Sequence, residues 1–456
     1  MSMRTAALAV LAAIGPGCAW GADWLRLSTP HFEILSDGGE RAARAPLERL
    51  EQIRAVLATP PMAGRTRLRV FLFSSEAEFR AYADSPKAAG FYRSGGERDF
   101  IVLHSGAGLT RAAAHEYVHR ILQQGEAPLP LWFEEGTAEL YSNLGVGRKQ
   151  MTVGQPIPEH LAVLASEKWL TAAELTGANL RSPLYNERER AGMFYAQSWA
   201  LVHMLNLAPG WRERMGRFAE SLTGGDADSF RQAFAKSTDE ALKELHGYLS
   251  RMTSVSVEAP VRTSESVTVE RVGIAAAELA CADLAVRLGR TALARKLVEA
   301  AKKAQPKAPE AEAGLGDVAL AEGDRGEARA RFEHAIAMGS RDAEVYFQLA
   351  LLDRDEGAPA SQVDALLRQA VAHDPGFGEA QLLLGLEAHE PGLAVEHLNA
   401  AARALPERSY VWHALGVAQA KTGETDAARV SALRALRTAA TEQEQSMAES
   451  LLDSLK

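Results

Sequence analysis

Two histidines four positions apart carry the clearest chemistry in this sequence. His115 and His119 lie in residues 111–125 (RAAAHEYVHRILQQG), which have the composition of a helix. Residues four apart on a helix share one face, so both imidazoles can reach the same ion. Glu116 lies between them, at an angle from which its carboxylate can reach a water on that ion. The segment predicts a metal site with an adjacent general base.

A second acidic stretch follows closely along the chain. Residues 130–140 (PLWFEEGTAEL) supply Glu134, Glu135 and Glu139, and residues 131–141 are predicted to form a helix. A catalytic zinc ion takes three protein ligands and keeps one position for water. Glu139 follows Glu135 by one turn on the same helix face. These carboxylates are therefore the candidates for completing a site that holds one Zn²⁺.

The two segments together resemble the gluzincin peptidases. The first has the HExxH pattern, and residues 132–138 (WFEEGTA) match the family's W-x-x-E-G-x-A stretch. In that family the Glu before Gly is the third zinc ligand, and this role transfers to Glu135. The interval from His119 to Glu135 is 16 residues, somewhat shorter than in the aminopeptidases of that clan.

The same resemblance implies roles for neighbouring residues. An acid at the position of Glu139 orients a ligand histidine through its outer nitrogen. Glu134 points elsewhere and is interpreted as a surface charge. The strand predicted at residues 100–104 (FIVLH) would be the edge strand that pairs with an extended peptide substrate.

Zinc peptidase chemistry needs a base and an oxyanion donor. Zinc lowers the pKa of its bound water, and Glu116 would take the proton and pass it to the leaving amine. Gluzincins often use a later Tyr or His as the additional donor. Tyr195, in the segment YAQSW, matches that Tyr by approximate position. The alternative is that Tyr195 is a core aromatic with a satisfied hydroxyl.

Length and charge narrow the function classes. The chain has 456 residues, of which 47% are hydrophobic, and this predicts two or three domains with sizeable cores. The net charge is −9, and no basic cluster occurs. We therefore expect no nucleic-acid partner.

The first residues have the pattern of an export signal. Arg4 precedes the apolar run 5–14, and small residues before Ala22 predict cleavage there, which makes 1–21 a signal peptide. The expected location is the periplasm, with a lipoprotein attached through Cys18 as the alternative. No later segment is apolar for long enough to cross a membrane. Without Cys18, only Cys281 remains, so no intrachain disulfide is expected.

Residues 22–251 are predicted to form one α+β, zincin-like metallopeptidase domain. Apolar runs predict strands within 24–35, at 68–73 and at 100–104, and helical periodicity covers 40–57. Residues 157–250 are mostly helical in pattern, and 194–207 (FYAQSWALVHMLNL) is predicted to be a core helix. Residues 252–270 change composition and are interpreted as a linker that can include a short extended segment.

The remaining residues, 271–456, repeat a helical pattern. Leu-Gly or Leu-Ala pairs recur at intervals of 34, 35 and 31, at Leu315-Gly316, Leu349-Ala350, Leu384-Gly385 and Leu415-Gly416. A period near 34 is typical of tetratricopeptide repeats, and we expect four to five of them in an all-α solenoid. The alternative is a generic helical bundle.

The domain order resembles bacterial proteins that join a peptidase MA-like domain to C-terminal tetratricopeptide repeats. The resemblance implies a zinc-dependent peptidase that hydrolyses protein or peptide substrates, with the repeats binding a protein partner. The alternative is a non-catalytic periplasmic scaffold, in which the repeats bind the partner and the peptidase-like domain is structural.

Overall fold

The computed structural model describes most of the chain. The described residues are 23–57, 67–83, 89–93, 99–122, 129–147, 150–179, 182–186, 188–222, 229–258, 267–406, 408–439 and 441–455. The predicted signal peptide, its cleavage site and Cys18 lie outside these ranges.

The strands belong to two sheets, both in the first part of the chain and its junction with the second. They are β1 (Trp24–Ser28), β2 (Phe32–Ser36), β3 (Leu68–Phe73), β4 (Gly90–Arg93), β5 (Phe100–His104), β6 (Gly145–Val146), β7 (Gln150–Val153), β8 (Val255–Glu258) and β9 (Thr268–Val272). The strands predicted within 24–35, at 68–73 and at 100–104 are all present.

The helices fall into two groups. Those of the first part are α1 (Glu40–Leu57), α2 (Glu76–Arg80), α3 (Leu109–Leu122), α4 (Leu131–Ser142), α5 (Pro158–Ser166), α6 (Ala172–Thr176), α7 (Pro183–Asn186), α8 (Arg188–Leu207), α9 (Met215–Leu222), α10 (Ser229–Phe234) and α11 (Thr238–Tyr248). Those of the second part are α12 (Ile274–Arg287), α13 (Thr291–Ala304), α14 (Pro309–Glu322), α15 (Arg325–Ala337), α16 (Ala343–Asp355), α17 (Ala360–His373), α18 (Gly378–Glu387), α19 (Pro391–Ala404), α20 (Ser409–Lys421), α21 (Thr425–Arg437) and α22 (Glu442–Ser454).

The large sheet is mixed and has the order β4-β5-β3-β2-β1-β9. Strands β2, β3 and β5 run parallel, whereas β4, β1 and β9 are each antiparallel to their neighbours. The strand β5 therefore lies inside the sheet, between β3 and β4. The expectation that residues 100–104 form the edge strand is wrong, because β4 pairs with their outer side.

Both faces of this sheet are buried. Side chains alternate along β3, so that Leu68, Val70 and Leu72 enter one core while Phe71 and Phe73 enter the other. A strand with both faces covered has a nearly continuous apolar sequence, as residues 68–73 (LRVFLF) do.

The first face packs against helices of the same domain. Ala43, Leu47 and Leu50 of α1 and Tyr117 and Val118 of α3 are fully buried in this core. The apolar helix α8 extends the core, and this agrees with the prediction for residues 194–207.

The second face is covered by the start of the helical repeats. Phe71, Phe73 and Phe100 share one core with residues of α12, α13 and α14, including Cys281 and Leu315. Burial raises the pKa of the Cys281 thiol, and it is a free cysteine in the interior. The repeats are thus joined to the sheet through a common apolar interior.

Two strands lie in or overlap the predicted linker, residues 252–270. Its first residues form β8, which pairs with β7, and its last residues form β9, which pairs with β1 across the full length of that strand. Both ends of residues 252–270 therefore belong to the sheets of the first part.

The second part is an array of antiparallel helix pairs. Five pairs run from α12 to α21, and α22 packs on the last of them. The Leu-Gly glycines lie where paired helices touch: a Cβ on Gly316 would lie 2.4 Å from Phe332, and one on Gly385 would lie 2.6 Å from Leu398. The shortened interval is explained by α18, which has 10 residues where α16 has 13.

Across the described residues, no helix combines the length and the apolar character needed to cross a membrane.

Candidate metal centre

Helix α3 is held in place by Tyr117 and Arg120. These residues alternate along the helix with the candidate site residues. Tyr117 is 1% exposed and meets Phe32 of β2 edge-on, with ring centroids 5.1 Å apart. Arg120 is buried and pairs with Asp99 at 3.0 Å, which ties the end of α3 to the residue before β5. These contacts leave His115, Glu116 and His119 on the remaining faces of the helix.

The structure brings His115, His119 and Glu135 together. The Nε2 atoms of the two histidines are 3.1 Å apart. Glu135 Oε2 lies 3.3 Å from the Nε2 of His115 and 3.4 Å from that of His119. The three atoms form a nearly equilateral triangle, with Glu135 supplied by α4 and only 2% exposed.

The size of this triangle fits zinc. In a tetrahedral site with ligand bonds of about 2.0–2.1 Å, neighbouring ligand atoms are about 3.3–3.4 Å apart. Two imidazoles and a carboxylate are also an established ligand set for catalytic zinc. The donor set and its spacing therefore fit one ion with an open fourth position, and the metal-binding role of these residues stays a prediction.

The buried imidazoles and carboxylates around the triangle shift one another's pKa. Burial alone would raise the pKa of the Glu135 carboxyl, but His119 and His115 beside it lower that pKa to about 2. Burial alone would lower the pKa of His115, but its contacts with Glu135 and Glu139 raise it well above the usual value. Glu135 is thus a carboxylate at neutral pH, and His115 must release a proton before its Nε2 can bind a metal ion.

Glu139 contacts the outer nitrogen of one of these histidines. Its Oε1 lies 3.4 Å from His115 Nδ1, and its Oε2 pairs with Arg111 and lies 3.0 Å from His160 Nε2. Burial would raise the pKa of Glu139, but His115 and His160 hold it well below its ordinary value. An anion at Nδ1 favours the tautomer whose Nε2 lone pair faces the centre of the triangle.

Sequence reasoning missed two members of this network. His160 belongs to α5, and its ring lies tilted against the buried Trp199, with ring centroids 5.5 Å apart. Arg111 precedes His115 by one turn and also approaches Ser142 Oγ at 3.4 Å. The one-turn spacing of Arg111 was a usable signal, whereas nothing in the sequence around His160 connects it to the first helix.

Glu116 has a partner on the edge strand. Its Oε2 accepts a hydrogen bond of 2.8 Å from the backbone N–H of Tyr92 in β4. Glu134, one residue before the third ligand candidate, is partly buried, and burial raises its pKa. Glu134 is therefore less exposed than the surface charge that was predicted.

Tyr195 lies on α8, the helix that crosses α4. It precedes Ser198 and Val202 by three and seven residues, so the three share a face. That face packs on α4 beside Glu135, because a Cβ on Gly136 would lie 2.4 Å from Ser198 O and 2.6 Å from Val202 Cγ2. The tyrosine ring is partly buried and meets Phe194 edge-on. Its role as an oxyanion donor stays a prediction.

Comparisons with known proteins assign no function to the residues of this site. No protein-family model and no curated protein matches the chain. Solved structures that match include YrrB, described as a TPR protein with an unusual peptide-binding site, at 19% identity, covering 39% of this chain and 92% of that chain with a TM-score of 0.31. TTC0263, a thermophilic TPR protein of Thermus thermophilus, matches at 23% identity, covering 38% of this chain and 97% of that chain with a TM-score of 0.28.

A longer match is the APC/C hetero-tetramer Cut9-Hcn1. It is 14% identical, covers 77% of this chain and 71% of that chain, and has a TM-score of 0.30. TM-scores near 0.3 are too low to support an inference about function. The helix pairs of the second part are established by the structure itself.

Proposed function

We propose that this protein is a zinc-dependent metallopeptidase of the gluzincin type, with a zincin-like first domain, whose helical repeats bind a protein partner. The observation that carries the proposal is the triangle of His115, His119 and Glu135, with Glu116 one residue from the first ligand. The edges of 3.1, 3.3 and 3.4 Å match one face of a zinc coordination tetrahedron.

Each step of the proposed peptide hydrolysis is assigned to particular residues of this chain. His115, His119 and Glu135 would hold the ion, which when bound polarises the scissile carbonyl and acidifies a water. Glu116 would accept that water's proton and deliver it to the leaving amine. Glu139 fixes the orientation of His115, and Tyr195 would donate a hydrogen bond to the substrate oxygen as negative charge develops there.

The second part of the proposal is that the helical repeats bind a protein partner. Paired helices in a solenoid create extended surfaces that bind peptides or proteins. We propose a periplasmic location, from the export pattern of the first residues, for an enzyme that acts on protein or peptide substrates.

Metal content and hydrolysis test the proposal together. We expect about one zinc per purified chain, retained in Glu116→Gln and lost in His119→Ala. Hydrolysis of unfolded casein should disappear in both variants. Glu134→Gln is the matched control, because it removes a carboxyl next to Glu135 without touching the triangle, and it should keep both zinc and activity.

The competing function is a non-catalytic periplasmic scaffold whose repeats bind a partner. The shared core of sheet and repeats is compatible with it, since the first part would then serve as a rigid mount for the array. Absence of zinc at neutral pH, or hydrolysis that persists in Glu116→Gln, would refute the peptidase and leave the scaffold.

A further inference from the structure

The edge strand β4 contacts the general-base candidate through its backbone. The N–H of Tyr92 donates to Glu116 Oε2 at 2.8 Å. This strand is the outer neighbour of β5, and its register pairs Tyr92 with Ile101 and Phe91 with Val102. In an antiparallel pair, successive residues alternate between facing the partner and facing away. Because the Tyr92 N–H is directed to Glu116, the Phe91 and Arg93 amides face β5.

A glycine allows this contact. A Cβ on Gly90 would lie 2.5 Å from Leu103 Cδ2, 3.1 Å from Val102 O and 3.6 Å from Glu116 Cγ. The Leu103 side chain could shift away from such a Cβ, but the contact with the backbone oxygen of Val102 would stay tighter than ordinary van der Waals contact. Glycine at position 90 therefore lets β4 approach β5 and α3 closely enough for the backbone of Tyr92 to reach the carboxylate.

We infer that the backbone N–H of Tyr92 positions Glu116 as the proton acceptor of the metal centre. The bond engages Oε2 and fixes the rotation of the carboxylate, so that Oε1 is the oxygen presented for proton transfer. An N–H donor to a carboxylate is a charge-assisted bond, stronger than one between neutral groups. An outward amide of an edge strand thus orients a side chain of the neighbouring helix.

Residue-resolved hydrogen exchange tests the bond without requiring activity. An outward edge amide without an acceptor exchanges freely, so protection of Tyr92 reports the contact. We expect the Tyr92 amide to be protected in the wild type and in Glu116→Gln, which keeps an acceptor oxygen, and to exchange at least about tenfold faster in Glu116→Ala. The Phe91 amide, bonded to β5, should stay protected in all three. Equal protection of Tyr92 in the wild type and Glu116→Ala would overturn the inference.

A kinetic comparison then tests the positioning role, and this arm rests on the proposed peptidase function. Tyr92→Pro removes the N–H at an outward position of an edge strand, where proline is tolerated. Tyr92→Ala removes the same side chain but keeps the N–H. We expect Tyr92→Pro to lower kcat by about 10- to 100-fold relative to Tyr92→Ala, with KM unchanged, because a small misplacement of a reacting group costs about that much.

Failure of the Tyr92 inference can be distinguished from failure of the proposed peptidase function. Equal kcat in the two Tyr92 variants, or a raised KM with kcat unchanged in Tyr92→Pro, would assign the N–H to another role and overturn the inference. If the wild type hydrolyses nothing, the peptidase proposal fails, and the exchange measurement still decides whether Tyr92 holds Glu116.

Discussion

At the scale of single residues, the candidate centre consists of a triangle and its supports. The triangle is built from side chains on two helices, and the supports are Glu139 behind His115 and the Tyr92 backbone behind Glu116. Each support holds a group whose orientation decides its chemistry. Glu139 is itself held by Arg111 and His160, so the order of the site extends to α5.

The contribution of His160 to holding Glu139 in place can be tested by measuring the affinity for zinc. His160→Ala removes one of the groups that hold Glu139, and Glu139→Ala removes the anion at His115 Nδ1. We expect both changes to weaken zinc binding by about 10- to 100-fold, because partners of metal ligands contribute to that extent. Competition with a fluorescent chelator measures the affinity.

The control for this test is Glu159→Gln, which changes the residue next to His160 on the exposed side of α5. Its zinc affinity should equal that of the wild type. Unchanged affinity in Glu139→Ala would show that Glu139 does not orient His115.

At the scale of elements, close helix packing positions the carboxylates. The helix α4 crosses α8 at Gly136, immediately after Glu135, and no side chain larger than hydrogen fits there. The glycine after Glu135 therefore has a packing function. The glycines of the repeats act in the same way, since Gly316 lies against Phe332.

Gly136→Ala should destabilise the fold. The added methyl group would lie 2.4 Å from the backbone oxygen of Ser198, and neither backbone can move without disturbing the core. We expect a loss of about 1–3 kcal/mol in the free energy of unfolding, measured with urea. Gly192→Ala is the matched control on α8, because a Cβ there meets nothing within 4 Å. The control should be neutral or slightly stabilising.

A partly buried acid in the repeats gives the array a pH dependence. Burial, with Glu344, Asp283 and Asp342 nearby, raises the pKa of Asp317 on α14 to about 8. In the unfolded chain this carboxyl ionises near about pH 3.9. Between these two pH values the Asp317 carboxyl keeps its proton in the folded state and loses it in the unfolded state. Its contribution to the free energy of unfolding is therefore fully present below about pH 4 and is lost as the pH rises towards 8.

Asp317→Asn should remove this contribution to the pH dependence. We expect the variant to lose less stability than the wild type between about pH 4 and pH 8 in thermal unfolding. The exposed Glu310→Gln on the same helix serves as the control and should follow the wild type. Identical pH profiles for wild type and Asp317→Asn would show that Asp317 ionises normally in the fold.

At the scale of the whole molecule, the two parts are not independent modules. The first repeat helices complete the core on one face of the large sheet, while α1 and α3 cover the other face. The helix that carries His115 and His119 and the start of the repeats therefore pack on opposite faces of one sheet.

Removal of the repeats should expose the sheet. A chain ending at residue 272 would present Phe71, Phe73, Phe100 and Val102 to solvent. We expect it to bind a hydrophobic dye and to lose cooperative unfolding, because contiguous apolar surfaces of this kind are not stable in water. A chain ending at residue 405 keeps α12 to α14 and is the control, since repeats contact mainly their neighbours. Cooperative unfolding of the shorter chain would show that the first part folds alone.

Much of the secondary structure was predictable because its signals are local. Residues 40–57 form a helix and residues 68–73 and 100–104 form strands at the predicted bounds. The edge strand was misassigned because β4 has four residues and a turn-rich, aromatic sequence without a clear period. The strands β8 and β9 could not be located from the sequence because they are largely exposed, so their sequences lack an apolar stripe.

The sequence by itself determined the histidine pair, the acidic helix that follows and the repeat period, because helical geometry converts fixed spacings into shared faces. The apolar run at 68–73 also required that both sheet faces be covered. Only the tertiary structure decided what covers them, and it placed His160 behind Glu139 and the Tyr92 backbone against Glu116. These contacts join segments distant in the chain, and no periodicity links such segments before the chain has folded.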